Sequence, residues 1–286
     1  MKWRKLMRIS FCVFAVFLIL WLIMAQSCMK FKISDSKAKE EFKQVGVNLT
    51  TVTVKADERN IHYAKTGNDS LPTIIFVHGS PGSWDAFAQY MQDSALLTKY
   101  RMISIDRPGF GNSDYGDAEH MSKQAELIEP VIKKLQNGKP IYLVGHSLGG
   151  PMIVWLAGDN PTMYDGLVLL AASVDPAEEK TEGWRGVLDN TLLRYFVPGA
   201  LRPSNRELKF FKKDVYELQS RFPKIKCKVF IVHGIKDTFV PVGNASYAAR
   251  QLVNASSVET ILIPEANHFI PWTNYEVIKN VLMKLY

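Results

Sequence analysis

Residues 145–149 read Gly-His-Ser-Leu-Gly, a serine with a glycine two places to either side. In this spacing a serine is a candidate nucleophile if a strand precedes it and a helix follows, because the sharp turn between them pushes the hydroxyl out at the sheet edge. The apolar run Pro140–Val144 supplies the strand, and a helical pattern opens from Leu148. The flanking glycines leave room for the turn, since no Cβ can clash there. The new helix also presents its first amides to developing negative charge. Ser147 is therefore the expected nucleophile. A hydroxyl nucleophile favours acyl transfer through an acyl-enzyme that water then resolves. Metal chemistry is not expected: C-x-x-C and H-E-x-x-H are absent, and the six histidines lack ligand spacing. No cofactor is expected either, because Gly109-Phe110-Gly111 lacks the third glycine and the helix of a phosphate loop.

Such a serine needs a sheet to carry it. The chain has 286 residues, 47% apolar and 22% charged, enough for one large α/β domain or two small ones. This composition excludes a disordered chain and a collagen. Only one stretch is long and apolar enough to enter a bilayer, which excludes a polytopic membrane protein. The net charge is +7, but Lys2, Arg4, Lys5 and Arg8 precede the apolar N-terminal run, and subtracting those four leaves +3 for the remainder. A body so close to neutral, without basic clusters along one face, is not expected to bind nucleic acid.

Residues 1–27 have the layout of a secretory signal or membrane anchor: a basic start, an uncharged run over 9–24, then Ala25-Gln26-Ser27-Cys28. The segment also resembles a bacterial lipoprotein signal, in which a cysteine after small residues is lipidated, making Cys28 the lipidation candidate. An uncleaved anchor, with Cys28 a bystander, is the alternative. Both place the body outside the cytoplasm and tethered to a membrane. Residues 28–49 are charged and helix-permissive and are expected to form a stalk or linker.

The domain is expected over residues 50–286. Thr50–Val54 and Asn60–Ala64 suggest an antiparallel hairpin. Short, nearly continuous apolar runs follow at Thr73–Val77, Arg101–Ile105, Pro140–Val144, Gly166–Ala171, Lys228–Val232 and Val258–Ile263. Continuous apolar strands suit a parallel sheet covered on both faces. Amphipathic segments near 84–98, 120–137, 148–159, 243–253 and 273–285 alternate with them, which predicts a doubly wound α/β fold. Residues 174–222 break the rhythm, and a connection of about fifty residues is unusual unless functional. It is expected to form a small helical cap over the mouth of the sheet.

Three blocks now carry a resemblance: His78-Gly79-Ser80-Pro81-Gly82, Asp106-Arg107-Pro108-Gly109-Phe110-Gly111-Asn112-Ser113, and Gly145-His146-Ser147-Leu148-Gly149-Gly150. Each follows a predicted strand, and their order resembles the α/β-hydrolase superfamily. The resemblance implies an oxyanion hole made by the backbone N–H groups of Leu148 and Ser80, which would stabilise a tetrahedral intermediate. It implies that the acid and the base follow the nucleophile in the order Ser, Asp or Glu, His. His268, just past the last strand, is then the base. Asp237, in the loop after the strand ending near Val232, is the favoured acid, with Asp175 as runner-up. His78 and the Asp106–Ser113 block are expected to shape loops.

The serine argues against dehalogenation and epoxide opening, for which this fold would carry an aspartate at the elbow. A carboxylic ester or related acyl bond in a small molecule is the expected substrate, as in esterases and lipases. An aminopeptidase-like hydrolase is one alternative, because His-Gly-Ser-Pro-Gly resembles a peptidase loop, and a carbon–carbon bond hydrolase on the same fold is another. A hydrolase fold that binds ligand with slow or no turnover is the alternative from another class. Trp84, Trp184, Tyr195 and Phe196 are candidate pocket residues, with Trp155 a possible addition at the mouth; apolar walls suit an acyl or aromatic substrate. Oligomeric state is not readable from the sequence.

Overall fold

Four strands are buried at every residue: Thr73–Val77 (β3), Arg101–Ile105 (β4), Ile141–His146 (β5) and Gly166–Leu170 (β6). Runs of Ile, Val, Leu and Phe form such strands because branched and aromatic side chains fit a pleat covered on both sides. The structure, a computed structural model, describes residues 2–27, 29, 31–116 and 118–286. Thr50–Ala56 (β1) and Arg59–Thr66 (β2) form the hairpin, and Lys228–Gly234 (β7) and Ser257–Ile263 (β8) complete an eight-stranded sheet. Its order is β1-β2-β4-β3-β5-β6-β7-β8. β2 runs antiparallel to β1 and β4, and every other pairing is parallel. This is the α/β-hydrolase fold.

The helices are α1 (Lys2–Ser27), α2 (Asp35–Gln44), α3 (Ala88–Met91), α4 (Ser94–Lys99), α5 (Met121–Lys134), α6 (Gly149–Asp159), α7 (Trp184–Asp189), α8 (Leu201–Leu218), α9 (Gly243–Gln251), α10 (Ile270–Thr273) and α11 (Tyr275–Met283). α5, α6 and the second half of α8 pack on one face of the sheet, and α11 with the segment around Trp84 and Phe87 on the other. Alternate strand residues feed two separate cores. Ile75, Val77, Leu143 and Leu169 join α5, α6 and α8 on one face. Ile74, Phe76, Val144 and Leu170 join Trp84, Phe87 and α11 on the other. The period-two alternation of a strand accounts for this division.

The segment between β6 and β7 holds α7, a short 3₁₀ turn at Leu192–Tyr195, and α8. It is not wholly a cap, because Phe211, Val215 and Leu218 of α8 are buried in the core beneath α6. The first half of α8 and the two short elements before it form the part over the sheet edge.

Two expectations for the N-terminal region meet different outcomes. Residues 35–49 do not form a free stalk. Ala38 and Phe42 of α2 are fully buried, with the Phe42 ring 6.0 Å from that of Trp84. The Thr51 hydroxyl donates to Asp35 Oδ2 at 2.7 Å. An apolar pair four residues apart inside a charged helix makes one narrow buried stripe, easily masked by its polar neighbours. α1 is a single helix, and among the described residues it is the one helix long and apolar enough to cross a membrane. At 26 residues it spans about 39 Å at 1.5 Å per residue. Only its C-terminal end touches the domain. The lipidation candidate Cys28 lies outside the described residues.

If α2 belongs to the fold, Phe42→Ala should destabilise the protein by about 3 kcal/mol or more, the range for emptying a buried aromatic site. Urea unfolding followed by tryptophan fluorescence measures this. A change below about 1 kcal/mol would mean that α2 is dispensable to the core.

Candidate active site

Ser147 sits between β5 and α6 with φ 54°, in the left-handed region that side chains rarely adopt. Its backbone is held from both sides. Its N–H donates to Leu170 O at 2.9 Å, and its carbonyl accepts from Gly150 N at 3.0 Å. The turn closes so tightly that a Cβ on Gly145 would lie 2.3 Å from Gly149 O, and one on Gly149 would lie 2.1 Å from Val77 O. Glycine is thus required at both positions by close approach of backbone. Leu148 is the N-cap residue of α6, with its N–H at the open end of that helix.

Ser147, Leu148, Ser80 and His268 line one cavity of about 1040 Å³ at the carboxyl edge of the parallel strands. His268 Nδ1 is 2.7 Å from Asp237 Oδ2. The carboxylate partner makes Nδ1 the protonated nitrogen, which leaves Nε2 free to accept a proton. The other oxygen of Asp237 accepts from Phe239 N at 2.9 Å and Val240 N at 2.8 Å. Burial alone would raise the Asp237 pKa, but hydrogen bonds from His233, His268 and Val240 hold it well below the usual carboxylate range. The carboxylate facing His268 is therefore that of Asp237. Asp175 instead caps a turn, accepting from Ala177 N at 2.9 Å. The Ser147 hydroxyl is not hydrogen-bonded to His268 in this conformation, and such bonds often tighten only with substrate bound.

Two further histidines brace this arrangement: His146, and His233, which lies at the end of β7 just before Gly234, where the sequence suggests a core or turn role. His146 Nε2 lies 3.0 Å from the carbonyl of His268. Its ring packs 4.8 Å from the His268 ring and edge-on to Trp272. Burial, with help from the nearby His268, lowers its pKa to about 3, so it stays neutral. His233 Nε2 lies 3.0 Å from the carbonyl of Val240, in the loop that carries Asp237. Position inside the motif was the available signal for His146: it adjoins the nucleophile and so must face the same sheet edge.

The cavity walls correct the expected pocket. Trp84 is core, packed on Phe42, with its backbone N–H donating to Asp106 Oδ1 at 2.7 Å. Trp155 is also core, under the Arg221 guanidinium at 3.5 Å. Trp184, Tyr195 and Phe196 lie on the outer edge of the cap, each more than one-third exposed. The inner wall comes instead from α8, through Leu201, Leu208 and Phe211, and from Phe239, Phe269 and Trp272 around the base. Phe31 and Ile33, between α1 and α2, and Lys37 of α2 close one side. Side-chain type does not reveal which face of a short helix looks at the cavity, and Trp184, Tyr195 and Phe196 face outward. Glu179 stands at the wall with its pKa raised by burial, accepting from the Ser173 hydroxyl. No group of three or more metal-ligating side chains occurs among the described residues.

With this geometry, comparison with known proteins gives a family. The alpha/beta hydrolase fold model matches residues 72–214, and the chain belongs to that family. It is 32% identical over 119 residues to epoxide hydrolase 1 of Caenorhabditis elegans, covering 40% of this chain and 28% of that protein. It is 29% identical over 227 residues to a mitochondrial palmitoyl-protein thioesterase of Bos taurus, covering 75% and 72%. The first of these matches thus spans well under half of the relative's length. Among solved structures, a bacterial membrane phospholipase A superposes with a TM-score of 0.62 at 19% identity, covering 100% of this chain and 99% of that one. At that identity the likeness is one of fold.

A neutral buried histidine makes folding sensitive to acid. Free in the unfolded chain, His146 titrates near its ordinary value of about 6.5; folded, its pKa is about 3. Above that ordinary value it has no effect. As pH falls below it, the unfolded chain gains a proton that the fold refuses, at about 1.4 kcal/mol per unit. Between pH 7 and 4.5 the wild type should lose about 2–3 kcal/mol on this account. His146→Asn should lose less by that amount over the same window, as measured by urea unfolding at both pH values. Equal losses in the two proteins would refute the assignment.

Proposed function

We propose that this protein is a serine hydrolase that cleaves a carboxylic ester or related acyl bond, tethered at a membrane by α1. The observation that carries this reading is the His268–Asp237 pair at the wall of a cavity that also exposes a serine in a left-handed strand-to-helix turn. In this mechanism Asp237 keeps the Nδ1 proton in place and stabilises the imidazolium that forms. His268 Nε2 takes the proton of the Ser147 hydroxyl as Oγ bonds to the carbonyl carbon. The carbonyl oxygen becomes an oxyanion held by the N–H groups of Ser80 and Leu148. The carbon–oxygen bond to the alcohol then breaks, and His268 returns the proton to the leaving group. Water, deprotonated by the same histidine, releases the acid and restores Ser147.

Substrate class follows from the walls. Leu208, Phe211, Phe239, Phe269 and Trp272 give the cavity an apolar wall that suits an acyl chain or an aromatic group, beside polar groups that include Lys37, Asp85, Glu179 and Arg185. Serine at the elbow supports acyl transfer over epoxide opening despite the partial match to an epoxide hydrolase. Ser147→Ala should abolish labelling by a fluorophosphonate probe and lower p-nitrophenyl ester turnover at least about a thousandfold. Folded wild type that does not label would overturn the reading.

The tether rests on α1, whose side chains over residues 9–24 are exposed apart from a few partly covered ones. An apolar helix of this length, with four basic residues at its start, is expected to lodge in a bilayer with its C-terminal end outside. The full chain should remain in the membrane pellet after a carbonate wash. Phe17→Arg combined with Leu20→Arg should move it to the supernatant, since each charge costs about 2.5–3.5 kcal/mol at the helix centre. Release of the wild type by the same wash would rule out a spanning helix.

A further inference from the structure

Arg107 and Glu207 are both buried, at 0% and 1% exposure, and neither takes part in the chemistry proposed above. Arg107 follows β4, and Glu207 lies on the cap helix α8, whose other residues wall the cavity. The guanidinium meets the Glu207 carboxylate with both terminal nitrogens, one to Oε1 and the other to Oε2 at 3.1 Å. Gln124 of α5 closes the group, donating to Glu207 Oε1 at 2.9 Å and accepting from Arg107 at 3.2 Å.

The remaining donors of Arg107 all point at one loop. Its Nε donates to the carbonyl of His78 at 3.0 Å, a terminal nitrogen donates to the carbonyl of Gly79 at 2.9 Å, and its backbone N–H donates to His78 Nε2 at 3.0 Å. These are the two residues before Ser80. The Gly79 carbonyl belongs to the same peptide unit as the Ser80 N–H. A peptide unit is planar, so fixing that carbonyl fixes the direction of the N–H.

We infer that Glu207 is a positioning residue: through Arg107 it aims the Ser80 N–H at the oxyanion, so the oxyanion hole is complete only when α8 is seated. The inference rests on the serine-hydrolase reading and deepens it. A tie that served stability alone has no need of a buried ion pair, because well-packed apolar residues do that work as well or better. Here the pair delivers a planar, five-donor group to two particular carbonyls. A single oriented charge does this and apolar packing does not. The same helix shapes the cavity and holds the donor, so closure of the cap and aim of the oxyanion hole are one event.

Glu207→Gln tests this, with turnover of p-nitrophenyl butyrate and affinity for a trifluoromethyl ketone as readouts. Such a ketone adds to a serine hydroxyl and places an oxyanion in the hole. A misaimed donor loses transition-state stabilisation without losing ground-state binding. Expected are a fall in kcat of about tenfold or more, KM within about twofold, and ketone affinity weakened by the same factor as kcat/KM. The affinity for butyramide, a neutral amide that places no anion in the hole, should hold. If Glu207→Gln does not fold, Gln124→Met replaces it. That variant removes the amide that orients both partners, and it should give a several-fold change of the same pattern. A folded variant with unchanged kcat/KM and ketone affinity overturns the inference, as does an equal loss in ketone and butyramide binding. Wild type that neither turns over ester nor binds the ketone overturns the hydrolase reading, and the inference with it.

Discussion

Ser147 has to sit at φ 54° for its hydroxyl to leave the sheet edge, and a non-glycine residue in that region costs about 1–3 kcal/mol. The rest of the sheet centre supplies the restraint. β5 lies between β3 and β6 and cannot shift, because every residue of the three is buried and paired. Ser147 N–H is pinned to Leu170 on β6, and the backbone of Gly149 rests against the carbonyl of Val77 on β3. A left-handed serine is tolerable where three adjacent strands leave it no alternative. The central place of β5 in the order β3-β5-β6 is thus a consequence of carrying the turn.

Around that turn the polar groups are arranged in two buried sets. On one side His146, His233, Asp237 and His268 form a chain in which the carboxylate is charged and the outer imidazole neutral. On the other, His78, Arg107, Gln124 and Glu207 bind the loop of Ser80. Both sets satisfy groups that would be costly to bury alone. They meet the elbow from opposite sides, so the serine is placed between a group able to take a proton and a loop able to hold negative charge.

The sheet was legible because burial on both faces leaves unbroken apolar runs. Thr73–Val77 and Arg101–Ile105 have the bounds that their composition suggests. Ser147 was legible because a glycine spacing and a strand-to-helix switch coincide within ten residues. His268 and Asp237 were located through the order of the family resemblance, and their contact needed the fold. What stayed hidden depended on direction rather than type. Trp84 and Trp184 look alike in sequence, yet one packs inward on Phe42 and the other faces outward beside Arg185. α2 was hidden because Ala38 and Phe42 are its only buried residues in ten. The Arg107–Glu207 contact joins residues a hundred positions apart, and no local pattern reports such a pair.

The N-terminal helix is joined to the cap more closely than a simple tether requires. The final carbonyls of a helix lack intrahelical partners. In α1 the Ala25 carbonyl accepts from Gly199 N at 2.7 Å, and just beyond the helix Met29 O accepts from Ala200 N at 2.6 Å. Gln26 bonds the carbonyls of Tyr195 and Val197 and accepts from Arg202 at 2.6 Å, while Trp21 donates to Phe196 O at 3.0 Å. α8 begins just after Ala200, at Leu201, and reaches Glu207 after fewer than two turns. The first two turns of α8 thus link the contacts with α1 at one end to the Arg107–Glu207 pair at the other. Spatial continuity by itself is not coupling. Here, though, the helix is rigid over that short span, and one link is a fully buried ion pair. A displacement of the cap that moved Glu207 would act on that pair and, through Arg107, on the loop that carries Ser80.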